Sequence, residues 1–239
     1  MKAATDKDRP QVIKTVRAVL NVPESISLDS MIEGPFTLPR SKYLFFEGEA
    51  ATDLFIVLNG TMKAIRSMSD GDEIVVRFHY PNEAIWTDVF HDARRTTTVS
   101  ALEPSTFCSV PYKELDRLIS VSEQVQRCCY NSLSRVIKQD RNFISMLARS
   151  NACERVCCYL LSLYNRQVSK GAHVYLPMSR TEMASHLGLA TETVSRVLSK
   201  LQDEKVIDAD RQWLDVLDIP HLYSLAGMTQ PVVRLAEVA

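Results

Sequence analysis

The sequence predicts an α+β chain made of an antiparallel β-roll, a long helix and a C-terminal winged helix-turn-helix. Three observations predict it. From about Leu28 to Val110, short apolar runs are punctuated by turn residues every 8–12 residues or so, the spacing of an antiparallel sandwich or roll. Between Pro111 and Lys170 there is neither Gly nor Pro, so helix can run unbroken. Ser179 to Glu182 forms a capping box that opens a helix, and Gly188 closes it ahead of a second helix.

The roll is read strand by strand. Phe36 to Leu38 precede Pro39, and Tyr43 to Phe46 precede Glu47-Gly48. Leu54 to Leu58 end at Asn59-Gly60, a hairpin dipeptide because both residues tolerate positive φ. Thr61 to Ser67 alternates apolar and polar up to the turn Ser69 to Asp72. Glu73 to His79, a Pro81-Asn82 turn and Thr96 to Ala101 complete it.

Helix-period patterning takes over after Pro111. Tyr112 to Ser120 predicts a short helix, and a long one starts near Ser122. In it Tyr130, Leu133, Ile137, Asp140, Ile144 and Leu147 fall at steps of 3, 4, 3, 4 and 3. Such a heptad seam packs along a second helix, here from another copy of the chain. The alternative is a core stripe against the chain's own roll. Asp140 would bring two carboxylates together in a dimer, where they repel and lose hydration. Asp140→Ala is then expected to tighten the dimer, unless Asp140 pairs with Arg141 or Lys138. A helix from about Asn151 to Asn165, a polar loop from Val168 to Ala172 and a strand from His173 to Leu176 follow. A further short helix is expected around Gln11 to Leu20.

Leu176 to Leu217 is the informative segment. Met183, Ala184 and Leu187 give the first helix an inner face, and small Ala184 permits a close crossing. The second helix runs from about Thr191 to Glu204, with Val194, Val197, Leu198 and Leu201 inward. Thr191, Glu192, Ser195, Arg196 and Lys200 are left facing out, groups suited to base edges and phosphates. Lys205 to Leu217 reads as two short strands around a polar turn, a wing. The competing reading is an αα-hairpin with no nucleic-acid role.

Composition narrows the classes. Hydrophobic residues are 46% and charged residues 24%, as in ordinary globular proteins, and no apolar run approaches the ~18 residues of a membrane span. Met1 to Pro10 is charged with no apolar core, so a cytoplasmic protein is expected rather than a secreted one. A net charge of −1 requires that any basic surface be local. There is no Walker loop, no G-x-S-x-G and no H-E-x-x-H, so no enzyme is expected. The cysteines at 108, 128, 129, 153, 157 and 158 form no C-x-x-C pair, and no metal site is predicted.

GLATETVSRVLSKL, from Gly188 to Leu201, resembles the recognition helix of the CRP/FNR family, and Glu192-x-x-Ser195-Arg196 is similar to its FNR branch. The resemblance extends from about Leu28 to Leu225 through LFIVLNGTMK, FHYPNEAI, STFCSVP and the segment after Asn151. It implies an N-terminal extension (1–27), a cyclic-nucleotide-binding-domain-like roll (28–118), a dimerisation helix (119–148), a winged DNA-binding domain (149–225) and a tail (226–239). It also implies a homodimer on double-stranded DNA, a palindrome of TTGAT-type half-sites, with RNA polymerase as a further partner. Arg196 would fork onto guanine O6 and N7, Glu192 accept from cytosine N4, and Ser195 meet a thymine. Where the cAMP-binding branch has an additional Arg, this chain has Thr191, leaving one G·C pair unread. Ser179 and Lys200 are candidates for phosphate contacts. Ala190 stands where many relatives carry a capping Thr, so Thr191 is expected to cap instead. The FNR branch shares the Asp at position 140, implying a dimer kept marginal until a signal repacks the seam.

No cofactor is predicted and the effector is left open. Nucleotide-binding relatives use a Gly-Glu pair and an Arg-Ser pair. Here Trp86 and Thr87 replace the first, and Arg95-Thr96 would hold only a phosphate. The FNR branch holds an iron–sulfur centre with an N-terminal cysteine cluster plus one internal cysteine. Only Cys108 matches, against four required thiolates. Three alternatives keep the same fold. One is a cyclic-nucleotide-responsive regulator. A second is thiol sensing by Cys153, Cys157 and Cys158, with Arg155 favouring a thiolate. The third is haem-based gas sensing through His79 or His91.

Overall fold

The structure, a computed structural model, describes residues 2–3, 9–85, 94–149, 151–167 and 173–229. Two units, Met1–Arg141 and Asn142–Ala239, each make their own contacts.

The first unit runs β1 (Lys2–Ala3), α1 (Arg9–Leu20), β2 (Glu33–Leu38), β3 (Tyr43–Phe45), β4 (Asp53–Asn59), β5 (Met62–Ser67), β6 (Glu73–His79), β7 (Ala84–Ile85), β8 (Thr98–Ala101), β9 (Ser105–Pro111) and α2 (Tyr112–Val121). It ends within α3 (Glu123–Arg149). The strands form two antiparallel sheets, ordered β1-β2-β9-β4-β7 and β3-β8-β5-β6. The Asn59-Gly60 turn holds: Gly60 has φ +82°, and a Cβ there would lie 2.4 Å from Ser105 Oγ. Only glycine fits such an approach.

Period-two alternation gives β4 and β9 two apolar faces. Leu54, Ile56, Cys108 and Val110 face Val12, Val16 and Leu20 of α1, Leu115 of α2, and Val125 and Cys129 of α3. Val57 and Phe107 face the other way, with Phe45, Met62, Ile85 and Val99 inside the roll. The N-terminal helix is therefore part of a core, with its buried residues four apart on one face.

The seam positions divide. Tyr130, Ile137 and Ile144 are 59%, 51% and 63% exposed, an apolar row that the chain itself does not cover. Leu133 is half-buried against the α1 cluster, and Leu147 is half-buried. Asp140 pairs with neither Arg141 nor Lys138. Arg77 of β6 donates to its Oδ1 at 2.7 Å and to Gln139 Oε1 at 2.7 Å. The expected neighbours fail because residues one or two apart on a helix do not face each other.

The second unit contains the end of α3, α4 (Ala152–Gln167), β10 (His173–Tyr175), α5 (Arg180–Leu187), α6 (Thr191–Asp203), β11 (Ile207–Asp210), β12 (Trp213–Val216) and α7 (Ile219–Leu225). Its sheet is antiparallel, ordered β10-β12-β11. Leu160, Met183, Leu187, Val194, Leu201, Leu214 and Leu222 are buried. Among the described residues, no helix is long and apolar enough to cross a membrane.

Candidate nucleic-acid interface

Local signals build the helix-turn-helix. Glu182 N donates to Ser179 Oγ at 3.2 Å, and Ser179 N donates to the Glu182 carboxylate at 2.8 Å, so the capping box closes on both sides. Gly188 ends α5 in the left-handed region, φ 61° and ψ 44°. A side chain there would cost roughly 1–2 kcal/mol.

On α6, Val194, Leu198 and Leu201 are buried. Val197, expected inward with them, is only half-buried because it sits at the flank of the stripe. Glu192, Arg196 and Lys200 are exposed and Thr191 and Ser195 half-buried. Residues 192, 195, 196 and 200 therefore share the face opposite the core, at steps of three and four. Their present partners are weak. Arg196 donates to Thr193 Oγ1 at 3.4 Å, and Lys200 lies 3.6 Å from Glu204 in an exposed pair. An exposed ion pair contributes only ~0–1 kcal/mol, so a phosphate can replace it.

One expected role changes. Ala190 takes the N-cap of α6 with φ −73° and ψ 148° and no side-chain cap, and Thr191 is already helical. A cap must come from the residue before the helix, so Thr191 does not cap. Ser179 is exposed, but its hydroxyl is engaged in the capping box.

Sequence reasoning missed how α3 and α5 are tied together within this unit. Arg155 donates to Leu147 O at 2.8 Å and to Leu187 O at 3.1 Å, binding the carbonyl ends of both helices. The guanidinium that was expected to favour a thiolate is spent on carbonyls. His186 stacks on Phe143 at 4.4 Å and meets Tyr159 edge-on at 5.5 Å. A second capping box, Asn151 with Glu154, opens α4; its spacing was readable in the sequence.

The sensor candidates are placed as follows. Arg95 is buried, donates to Asp53 O at 2.7 Å and lies over the Phe45 ring at 4.3 Å, while Thr96 is exposed. His79 is buried at the end of β6. Trp86, Thr87 and His91 lie outside the described residues. Burial pushes the Cys108 thiol up to about 12. Cys157 is raised too, chiefly by burial and then by Cys153, whose Sγ is 4.0 Å away. Cys158 is raised by burial and by the Glu154 charge, and its thiol donates to Ala226 O. Raised thiols disfavour the thiolate that redox sensing requires. Among the described residues, no group of three or more His, Cys, Asp or Glu side chains could hold a metal ion.

The Crp-like helix-turn-helix domain model matches residues 154–225, and the cyclic nucleotide-binding domain model matches residues 35–122. The chain is 31% identical over 211 residues to Transcriptional activator protein FnrA of Stutzerimonas stutzeri, covering 87% of this chain and 86% of that protein. The same identity and coverage relate it to Transcriptional activator protein anr of Pseudomonas aeruginosa. The fold is shared with the structure of FixK2 from Bradyrhizobium japonicum, with TM-score 0.76 at 23% identity over 82% of this chain and 98% of that one. With a capped helix-turn-helix, a wing and a β-roll in place, the chain belongs to the CRP/FNR family of DNA-binding transcription regulators.

Proposed function

We propose that the chain acts in the cytoplasm as a homodimer on a palindrome of TTGAT-type half-sites, activating transcription through RNA polymerase. The observation that carries this reading is the outward face of α6, where Glu192, Ser195 and Arg196 stand together opposite the buried stripe. Arg196 takes guanine, Glu192 the paired cytosine's N4, and Ser195 a thymine, while Lys200 and Ser179 contact phosphates and Thr191 leaves one pair unread. The apolar row of Tyr130, Ile137 and Ile144, continued by Leu133, Asp140 and Leu147, supports pairing of two copies along α3. Activation is favoured because the two bacterial relatives above are named transcriptional activators. The roll is read as a sensor for neither cAMP nor an iron–sulfur cluster.

Fluorescence anisotropy with a TTGAT-N4-ATCAA duplex tests this. The account expects that duplex to bind at least ~10³-fold more tightly than one with both half-sites scrambled. Equal affinity for the two duplexes would overturn it.

A further inference from the structure

In the first unit, a cavity of about 180 Å³ lies between α1, the turn joining β6 to β7, and α3. Val19, Ala84 and Val136 supply apolar wall, and two guanidiniums, Arg77 and Arg135, line the same space. Their situations differ. Arg77 is held by Asp140 and Gln139, each at 2.7 Å. Arg135 has no acidic side chain among the described residues within ion-pair distance. The carboxylate on the wall, Glu83, accepts from Tyr80 N in its own turn at 3.2 Å.

Arg135 is two residues from both Leu133 and Ile137, which puts it about 160° around the helix from the apolar row. A partner lying along that row would leave the cavity open. The volume corresponds to roughly six waters at ~30 Å³ each, below the ~300 Å³ where drug-sized pockets begin. A three- to five-carbon acid or a small phosphate ester matches its size.

We propose that this cavity is an effector site for a small organic anion, whose carboxylate or phosphate bridges Arg135 and Arg77 in place of Asp140. Guanidinium forks match either oxyanion in a bidentate manner, and the carbon skeleton rests on Val19, Ala84 and Val136. Ligand and Asp140 compete for one guanidinium. Binding therefore returns a free carboxylate to the row of α3 residues along which the proposed dimer pairs. Only that consequence rests on the dimer reading; the binding itself does not.

Isothermal titration of the full chain with succinate, glycerol 3-phosphate and inorganic phosphate tests the site directly. Saturable binding of at least one is expected, weakened about tenfold or more in Arg135→Gln and partly restored in Arg135→Lys. Asp140→Asn removes the competitor and should bind several-fold more tightly. Arg117→Gln, on the exposed face of α2 and away from the cavity, should bind as the parent does. Thermal melts establish that each variant is folded. No saturable binding of any of the three up to tens of millimolar overturns the proposal, as does unchanged affinity in Arg135→Gln. Weaker binding in Asp140→Asn overturns the displacement of Asp140. The assay contains no DNA, so its failure and the failure of the operator reading are told apart.

Discussion

Arg77 and Asp140 are 63 residues apart in sequence, yet their ion pair sets the charge beside the exposed apolar row of α3. With side chains 23% and 57% exposed, the pair itself contributes only ~0.5 kcal/mol to folding. Its effect should therefore show in association rather than in stability. Arg77→Ala leaves a bare carboxylate beside the row and is expected to weaken self-association several-fold with little change in Tm. Adding Asp140→Ala should restore it. Sedimentation velocity checks this, and unchanged association in Arg77→Ala would remove the pair from dimer control. The cysteines make the opposite kind of statement. Burial raises the Cys108 thiol from 9.0 to about 12, so its share of stability is complete below pH 9 and is lost as pH climbs toward the folded value. Thiolate at Cys108 is then scarcer in the folded than in the unfolded chain, and iodoacetamide at pH 8 should label the unfolded chain faster. Mass spectrometry reads this; equal rates would contradict it. Glu192, Ser195 and Arg196 were legible because helix period and capping identify the outward face without tertiary information. The partners of Asp140 and Arg155 were not, since they come from elements distant in the chain.

At the level of helices and strands, punctuation carried most of the reading. Asn59-Gly60, the capping box at Ser179, Gly188 and the wing turn each fix local backbone, so β4, α5, α6 and the β11–β12 hairpin were found near their observed bounds. The strand before Ala101 came out shorter than expected, Thr98–Ala101 rather than from Thr96. The strand order β2-β9-β4 was not readable, because register between distant strands is set by shared burial and not by any local pattern. One local rule is broken at the recognition helix. Ala190 occupies its N-cap and offers no oxygen to the first amides. Ala190→Thr should therefore stabilise the second unit by ~1 kcal/mol, seen as a higher Tm by calorimetry, while base preference stays the same. A Tm that falls would mean that Ala190 is needed for close packing rather than tolerated.

Across the whole molecule, a net charge of −1 gives no sign of nucleic-acid binding. The proposed operator contacts rest not on bulk basicity but on a few side chains on the outward face of α6, a helix fixed by a capped partner and a glycine turn. The fold class was legible from sequence because turn spacing, uninterrupted helix and capping signals are local. The anion cavity was not, because its walls come from α1, β6, β7 and α3 at once. The most direct measurement compares the unaltered chain with Arg196→Ala on TTGAT-N4-ATCAA duplexes substituted at every half-site position. The account predicts a loss of ~1–3 kcal/mol per half-site, with preference flattened at a single base pair in each half. A variant that keeps the full preference, or weakens equally on every duplex, would contradict it.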